Sequence, residues 1–208
     1  MLNSIVLNEI VVLPDKLVQL GKRPGDPPNA AFYAMESAQS KDIVQYMPIA
    51  KENAMDYSDL KGLVDGVHNE LEETQGLIEV LNGKTSKGKD YIYSIIKSAL
   101  PPQRGGGVTY TLCLDVDFEG FCLRVMGFFK EVGITGIRDS ACLELERRKS
   151  GYGSIEDVMR NWRKDPCDEN YTKGNLMNLS EQREYDEAFP DHPLSLLRQF
   201  TDFFISNN

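Results

Sequence analysis

The stretch Val108-Thr-Tyr-Thr-Leu-Cys-Leu-Asp-Val-Asp-Phe118 decides the fold, because apolar and polar residues alternate along its whole length. Such period-two alternation predicts a β-strand with one buried face and one polar face. Gly120 follows in a tight turn, and a second strand is predicted over Phe121–Lys130. A two-residue turn places Asp115 opposite Arg124 in an antiparallel hairpin.

Upstream of this hairpin the chain has the pattern of further strands and one helix. Leu60, Leu63, Val64, Val67 and Leu71 recur at helical spacing, which predicts a helix over Ser58–Glu73 with Ser58 as its N-cap. Apolar runs bounded by turn residues predict the strands. These are one or two strands within Ser4–Gln19, then Ala30–Glu36, Asp42–Ala50, Leu77–Leu81 and Lys89–Lys97.

The last third of the chain has a helical pattern instead. The loop Gly133–Asp139 leads into a helix that ends near Arg148, and Ser154–Asp157 resembles a capping box. A short helix is predicted over Glu181–Phe189, and an amphipathic helix over Leu194–Ile205. Strands followed by helices predict an α+β fold, an antiparallel sheet flanked by helices. We expect one domain, residues 1–208, with a strand-rich part (1–130) and a helical extension (131–208).

Composition excludes several classes of function. The 208 residues include 23 Lys and Arg against 32 Asp and Glu, so the net charge is −9. This balance opposes binding to nucleic acid or anionic lipid, which requires clustered cations. We find neither a signal peptide nor a membrane-spanning run, and we expect a soluble cytoplasmic protein of bacterial style. The oligomeric state is left open.

Four scattered cysteines form no Cys-x-x-Cys pair, so neither a zinc site nor a redox motif is predicted. Cys113 and Cys122 are expected to face each other on adjacent strands as reduced thiols. Gly83-Lys84-Thr85 lacks the first glycine and the helix of a P-loop, and is interpreted as a hairpin turn. No cofactor is predicted.

Acidic and basic residues on the polar side of the hairpin are the first candidate site. Asp115, Asp117 and Arg124 form a cleft in this hypothesis and bind a small ligand. Together with Glu119, the two aspartates also begin an EF-hand-like pattern that lacks its final glutamate, so divalent-cation binding is a further hypothesis. The alternative interpretation is a solvated sheet face.

Two other residues are candidates for chemistry. His68 neighbours Asp65 and Glu72 on its helix, so it is either a base oriented by a carboxylate or a half-buried helix histidine. Arg138 follows two glycines at a helix start, where exposed amides can receive an anion. The alternative is a strand-to-helix connection in which Arg138 and Asp139 cap the helix.

Residues of about 47–130 resemble the Mog1p/PsbP-like fold family in the order of their elements. The helix near Ser58–Glu73 precedes Gly76-Leu-Ile-Glu-Val-Leu-Asn-Gly83, and the Tyr91-Ile-Tyr93 strand and the hairpin follow. The resemblance implies an antiparallel sheet flanked by helices and, since members are mostly binding or accessory proteins, a binding function. It assigns no functional residue. The C-terminal third is similar to uncharacterised bacterial proteins.

The leading hypothesis is therefore a non-enzymatic protein that binds a protein partner through its sheet face or its C-terminal helices. One version is an acidic immunity-type protein that neutralises a basic toxin or nuclease, as the net charge of −9 favours a basic partner. The alternative is a small-ligand-binding protein or an enzyme that uses the cleft near Asp115, Asp117 and Arg124.

Overall fold

The computed structural model describes residues 7, 9–101, 106–149 and 155–208, and it is an α+β fold built on one large antiparallel sheet. Seven strands lie in the order β1-β2-β3-β7-β6-β5-β4. They are β1 (Val18–Gln19), β2 (Ala31–Glu36), β3 (Ser40–Ile49), β4 (Gln75–Lys84), β5 (Asp90–Ala99), β6 (Val108–Phe118) and β7 (Phe121–Glu131). The predicted fold class is confirmed.

The central hairpin of β6 and β7 has the predicted register. Asp115 lies opposite Arg124, and Gly120 adopts a φ of 84° in the turn, a conformation that glycine accepts at no steric cost. Asp117, and not Cys113, lies opposite Cys122, so the prediction that the two cysteines face each other was wrong. The four cysteines are free thiols.

Helices surround this sheet. They are α1 (Leu60–Glu70), α2 (Ile137–Lys149), α3 (Ile155–Met159) and α4 (Pro193–Asn207), and a two-stranded ribbon, β8 (Arg163–Lys164) with β9 (Met177–Asn178), lies between α3 and α4. In the described part of the chain no helix has the length and apolar character needed to cross a bilayer. Ser154, the first residue of the expected capping box, lies outside the described residues.

The main core lies between α4 and one face of the sheet, which we call the inner face. Leu194, Leu197, Phe200 and Phe204 of α4 are almost fully buried in it. From the sheet, the core takes the inward residues of successive strands, among them Val44, Tyr46, Ile95, Leu112, Leu114, Val125 and Phe129. The predicted amphipathic helix at the C-terminus is confirmed, and it shares its core with the predicted hairpin.

Two predicted helices differ from the structure. Helix α1 begins at Leu60, because Asp59 and not Ser58 is its N-cap and accepts from the Gly62 amide at 2.8 Å. Over 181–189 the chain forms 3₁₀ turns at Leu179–Glu181 and Arg183–Tyr185 in place of a helix. Gln182, with extended backbone angles, separates these two turns.

The N-terminal segment is mostly not strand. Within the predicted range 4–19, the described residues form only the two-residue strand β1, while Leu7, Glu9 and Ile10 are helical. The side chain of Asn208 bonds to the backbone of Val12, accepting from its amide at 2.6 Å and donating to its carbonyl at 3.1 Å. The apolar residues that predicted strands, Leu7 and Val11, are buried in the main core instead.

Candidate functional site

The predicted Asp115–Arg124 pair exists, but it lies beneath a covering segment. Asp115 is fully buried and receives bonds from Arg124 Nε at 2.8 Å and from Arg124 Nη2 at 2.7 Å. It also accepts from the Met55 amide at 2.9 Å, while Arg124 donates to the Asn53 carbonyl at 3.0 Å. The alternative interpretation, a solvated sheet face, was wrong for this pair. Residues 50–57 fold over it and form hydrogen bonds with its polar atoms.

Asp117 does not join this pair in an open cleft. Its Oδ1 lies 2.7 Å from Lys51 Nζ, so the covering segment also satisfies this carboxylate. Among the described residues, no group of three or more His, Cys, Asp or Glu side chains is arranged to hold a metal ion. Asp115 and Asp117 therefore have protein cations or amides as their partners.

His68 pairs with a carboxylate, but not with one on its own helix. Its Nε2 lies 2.9 Å from Oδ2 of Asp165, and its ring stacks on Tyr171 with centroids 3.8 Å apart. Asp165 is itself buried and accepts from the Cys167 and Asp168 amides. The expected orientation by Asp65 or Glu72 was wrong; the His68–Asp165 contact ties α1 to the C-terminal third.

The Arg138 side chain points into the protein, toward Ser180 and Ser195. It is 2% exposed and donates to the Ser180 carbonyl at 2.6 Å, the Gln182 carbonyl at 3.1 Å, Ser195 Oγ at 2.8 Å and Asp186 Oδ1 at 3.0 Å. Asp139 accepts instead from Ser180 and Asn178. The Arg138–Asp139 capping alternative was therefore wrong, and the guanidinium has no exposed donor face for an anion.

The five candidate residues thus lie in three separate places. Asp115, Arg124 and Asp117 lie on the sheet face opposite α4, which we call the outer face. His68 lies beside Asp165, and Arg138 lies among residues 180–195 of the C-terminal third. Sequence spacing could not show this dispersal, because the partners of Asp117, His68 and Arg138 are distant in the chain.

The outer face carries a feature that the sequence interpretation missed. Val18 pairs with Ala34, Ala34 with Ile43, and Ile43 with Phe128, so one apolar row crosses four neighbouring strands. We call these four residues the apolar row. Ile43 is 41% exposed and Phe128 39% exposed, although both are large apolar side chains. Contiguous exposed apolar surface of this kind typically marks an interaction site.

The apolar row borders a groove of about 430 Å³, to which Ala34, Ile43 and Phe128 contribute along with Leu20 and Thr109. The charged side chains around it are Arg23, Lys41, Lys130 and Glu36. Asp42 also borders it, but strand alternation turns the Asp42 side chain to the inner face. The surface around the groove is therefore locally basic in a chain whose net charge is −9.

One signal could have revealed the apolar row. Phe128 and Phe129 are consecutive in β7, and successive side chains of a strand point to opposite faces. Phe129 is fully buried on the inner face, so Phe128 necessarily lies on the outer one. A covering segment could have buried it. The structure shows that residues 50–57 cover the Asp115 end of this face and that α1 contacts β4, while Phe128 stays exposed.

Asp42 gives a pH-dependent prediction. It is 2% exposed, Ser40 donates to its Oδ1, and its Oδ2 has no hydrogen-bond partner. Burial raises the pKa of Asp42 to about 7. The folded state therefore holds a proton that the unfolded chain releases, and the contribution of Asp42 to stability falls as the pH rises from about 4 to 7.

The variant Asp42→Asn keeps the oxygen that accepts from Ser40 but cannot ionise. We expect it to be more stable than wild type at pH 8 by about 2–4 kcal/mol and by a smaller amount at pH 5, where less of the stability contributed by Asp42 has been lost. Urea unfolding at both pH values measures the difference, and the exposed Asp65→Asn is the control. An equal Asp42→Asn effect at pH 5 and pH 8 would show that ionisation of this carboxyl does not affect folding.

No protein-family model matches the chain, and no curated protein is significantly similar to it. Its function must therefore be argued from its own geometry.

Proposed function

We propose that the protein is a non-enzymatic binding or accessory protein that acts on a protein partner, and that this partner docks in the groove beside the apolar row. The observation that carries the proposal is the exposed Ile43–Phe128 pair at the centre of a sheet face whose other half is covered. Aromatic side chains in such positions supply much of the binding energy at protein interfaces.

The charge around the groove indicates the chemistry of the partner. Arg23, Lys41 and Lys130 outnumber Glu36, so an acidic segment that also carries apolar side chains fits best. Apolar contact with Phe128 would supply affinity, while the lysines would guide the approach and fix the orientation. Screening limits the influence of distant charges, with a Debye length of about 8 Å at physiological salt, so the local cations act more strongly here than the net charge.

The immunity-type version of this function predicts a different partner. A net charge of −9 attracts a basic toxin or nuclease from a distance, and such a partner would use acidic surface away from the groove. The two versions predict different effects of substitutions in the groove. Groove variants should weaken the binding of an acidic partner and leave the binding of a basic partner unchanged.

The Mog1p/PsbP-like relationship is part of the same proposal. A seven-stranded antiparallel sheet with flanking helices is compatible with that fold and supports the relationship. The resemblance favours a binding or accessory role over catalysis. We propose a cytoplasmic location as well, since the four free cysteines suit a reducing compartment.

The test is capture of partners from a lysate of the native host by four tagged baits, followed by mass spectrometry. The baits are wild type, Ile43→Thr, Phe128→Thr and the control Leu145→Thr; Leu145 lies on α2 and, like Ile43, is 41% exposed. Threonine suits a strand, so the two groove variants are expected to fold.

We expect wild type and Leu145→Thr to recover one common acidic protein that both groove variants lose. A basic protein recovered equally by all four baits would support the immunity-type version and contradict docking in the groove. Recovery of no common protein by wild type and Leu145→Thr would contradict the binding function itself.

A further inference from the structure

A second concave site lies at one end of the inner face, where the sheet residues become polar. Glu131, Tyr110 and His192 of the C-terminal third line a pocket of about 230 Å³ there, together with Thr135 from the loop Gly133–Asp139. This pocket is on the opposite side of the sheet from the groove, because Tyr110 pairs with the inward-facing Phe129. None of its residues belongs to the apolar row.

His192 supplies a hydrogen-bond donor to this pocket. It is 6% exposed, and its Nδ1 accepts from the Leu194 amide at 3.3 Å at the start of α4. Burial and the nearby Arg138 and Arg198 lower the pKa of His192 to about 3, so the ring is neutral at physiological pH. With Nδ1 as the acceptor, the proton is on Nε2. Within the described residues, Nε2 has no hydrogen-bond partner.

Glu131 supplies an acceptor. It is 7% exposed, and two backbone amides hold it: Gly136 donates to Oε1 at 2.8 Å and Val108 to Oε2 at 3.2 Å. Burial raises the pKa of this carboxyl. Each carboxylate oxygen accepts two hydrogen bonds, so both keep capacity for a ligand donor.

The other charged residues of the pocket wall, Arg138 and Asp139, already bond to protein groups. Arg138 donates to four protein acceptors, and Asp139 accepts from Ser180 and Asn178. The pocket therefore has no uncommitted cation to hold a phosphate or a carboxylate. Its free groups are one neutral imidazole donor, one carboxyl acceptor and the hydroxyl of Thr135.

We propose that this pocket binds a small neutral polar molecule that carries both a hydrogen-bond donor and an acceptor, such as a carboxamide or a lactam. The Nε2–H of His192 donates to the carbonyl of the ligand, and Glu131 accepts from its N–H. The site is independent of the proposed docking groove.

The chain has only two histidines, which makes imidazole nitrogen NMR a direct test. The probes are nicotinamide and uracil, at millimolar concentration, with inorganic phosphate as the charged comparison. We expect a neutral probe to shift the Nε2 resonance of His192 and to leave His68, which pairs with Asp165 outside the pocket, unchanged.

Variants test which groups bind. Thr135→Val, which removes a hydroxyl from the pocket wall, and Glu131→Gln, which replaces one acceptor oxygen with a donor, are each expected to weaken binding of the shifting probe by about tenfold. Thr111→Val, a threonine of β6 outside the pocket, is the control and should bind as wild type does. Urea unfolding of each variant separates lost binding from lost folding.

Two results would overturn the proposal. One is the absence of any His192 shift with both neutral probes. The other is a His192 shift with phosphate alone, which would show that the pocket selects anions. If no docking in the groove were found but His192 still responded to a neutral probe, the proposed function would be contradicted and the ligand pocket would not.

Discussion

Lys97→Met is expected to lower the free energy of unfolding by about 3–5 kcal/mol, because it leaves a buried carboxylate without its cation. Lys97 is 1% exposed and its Nζ lies 2.7 Å from Oε2 of Glu181, which is 2% exposed. Glu181 also accepts from Tyr110 and from the Asn178 amide, so it cannot move toward water without breaking these bonds. Urea unfolding measures the loss.

Two further variants show where the loss arises. Lys84→Met removes an ion pair of similar length, 2.6 Å, but both partners are well exposed, so we expect less than about 1 kcal/mol. In Lys97→Met/Glu181→Gln the buried charge is gone, and part of the loss should be recovered. If Lys97→Met destabilised no more than Lys84→Met, the pair would not connect the sheet to the C-terminal third in the way described.

Arg138→Met is the second large expected effect. It removes four hydrogen bonds that Arg138 donates to residues of the C-terminal third. The acceptors are Ser180, Gln182, Ser195 and Asp186. We expect a loss of about 3–5 kcal/mol, since each buried group left without a partner costs about 1–3 kcal/mol. Thermal and urea unfolding both measure it.

The conservative variant and an exposed control complete this test. Arg138→Lys should recover only a minor part, because an ammonium group cannot reproduce the planar fork of five donors. Arg147→Met removes an exposed pair with Glu144 and should cost less than about 1 kcal/mol. An Arg138→Met variant as stable as Arg147→Met would contradict a structural role and would reopen the anion-binding hypothesis.

The central hairpin could be predicted from the sequence because neighbouring residues specify it. Alternation over Val108–Phe118 sets the buried face, and the two-residue turn at Gly120 sets the register, so the Asp115–Arg124 pairing followed directly. The fold class followed from the order of strands and helices. These features depend on neighbours in the chain, which is the information that periodicity contains.

The environment of the candidate residues was not predictable in the same way. Asp115 is buried by residues 50–57, and His68 pairs with Asp165, 97 positions away. Arg138 is enclosed by acceptors that lie 42 to 57 positions away, among them Ser180 and Ser195. In each case the partner comes from a distant segment, and no local pattern specifies which segment covers which face.

The exposure of Phe128 was also not predictable from the sequence. Its position in β7 predicts which face it occupies, but not that this half of the face is left open. The covering segment crosses the Asp115 end of the hairpin and leaves Ile43 and Phe128 exposed. An open apolar row is therefore a property of the whole fold, and it became a candidate site only in the structure.

The most direct test of the proposed function is a calorimetric titration of the captured partner into wild type and into Ile43→Thr/Phe128→Thr. Docking in the groove predicts a Kd weaker by about tenfold to a hundredfold in the double variant, equivalent to about 1.4–2.7 kcal/mol. It also predicts weaker wild-type binding at high salt, since lysines flank the groove. The same Kd for both chains, with both fully folded, would contradict docking at this surface.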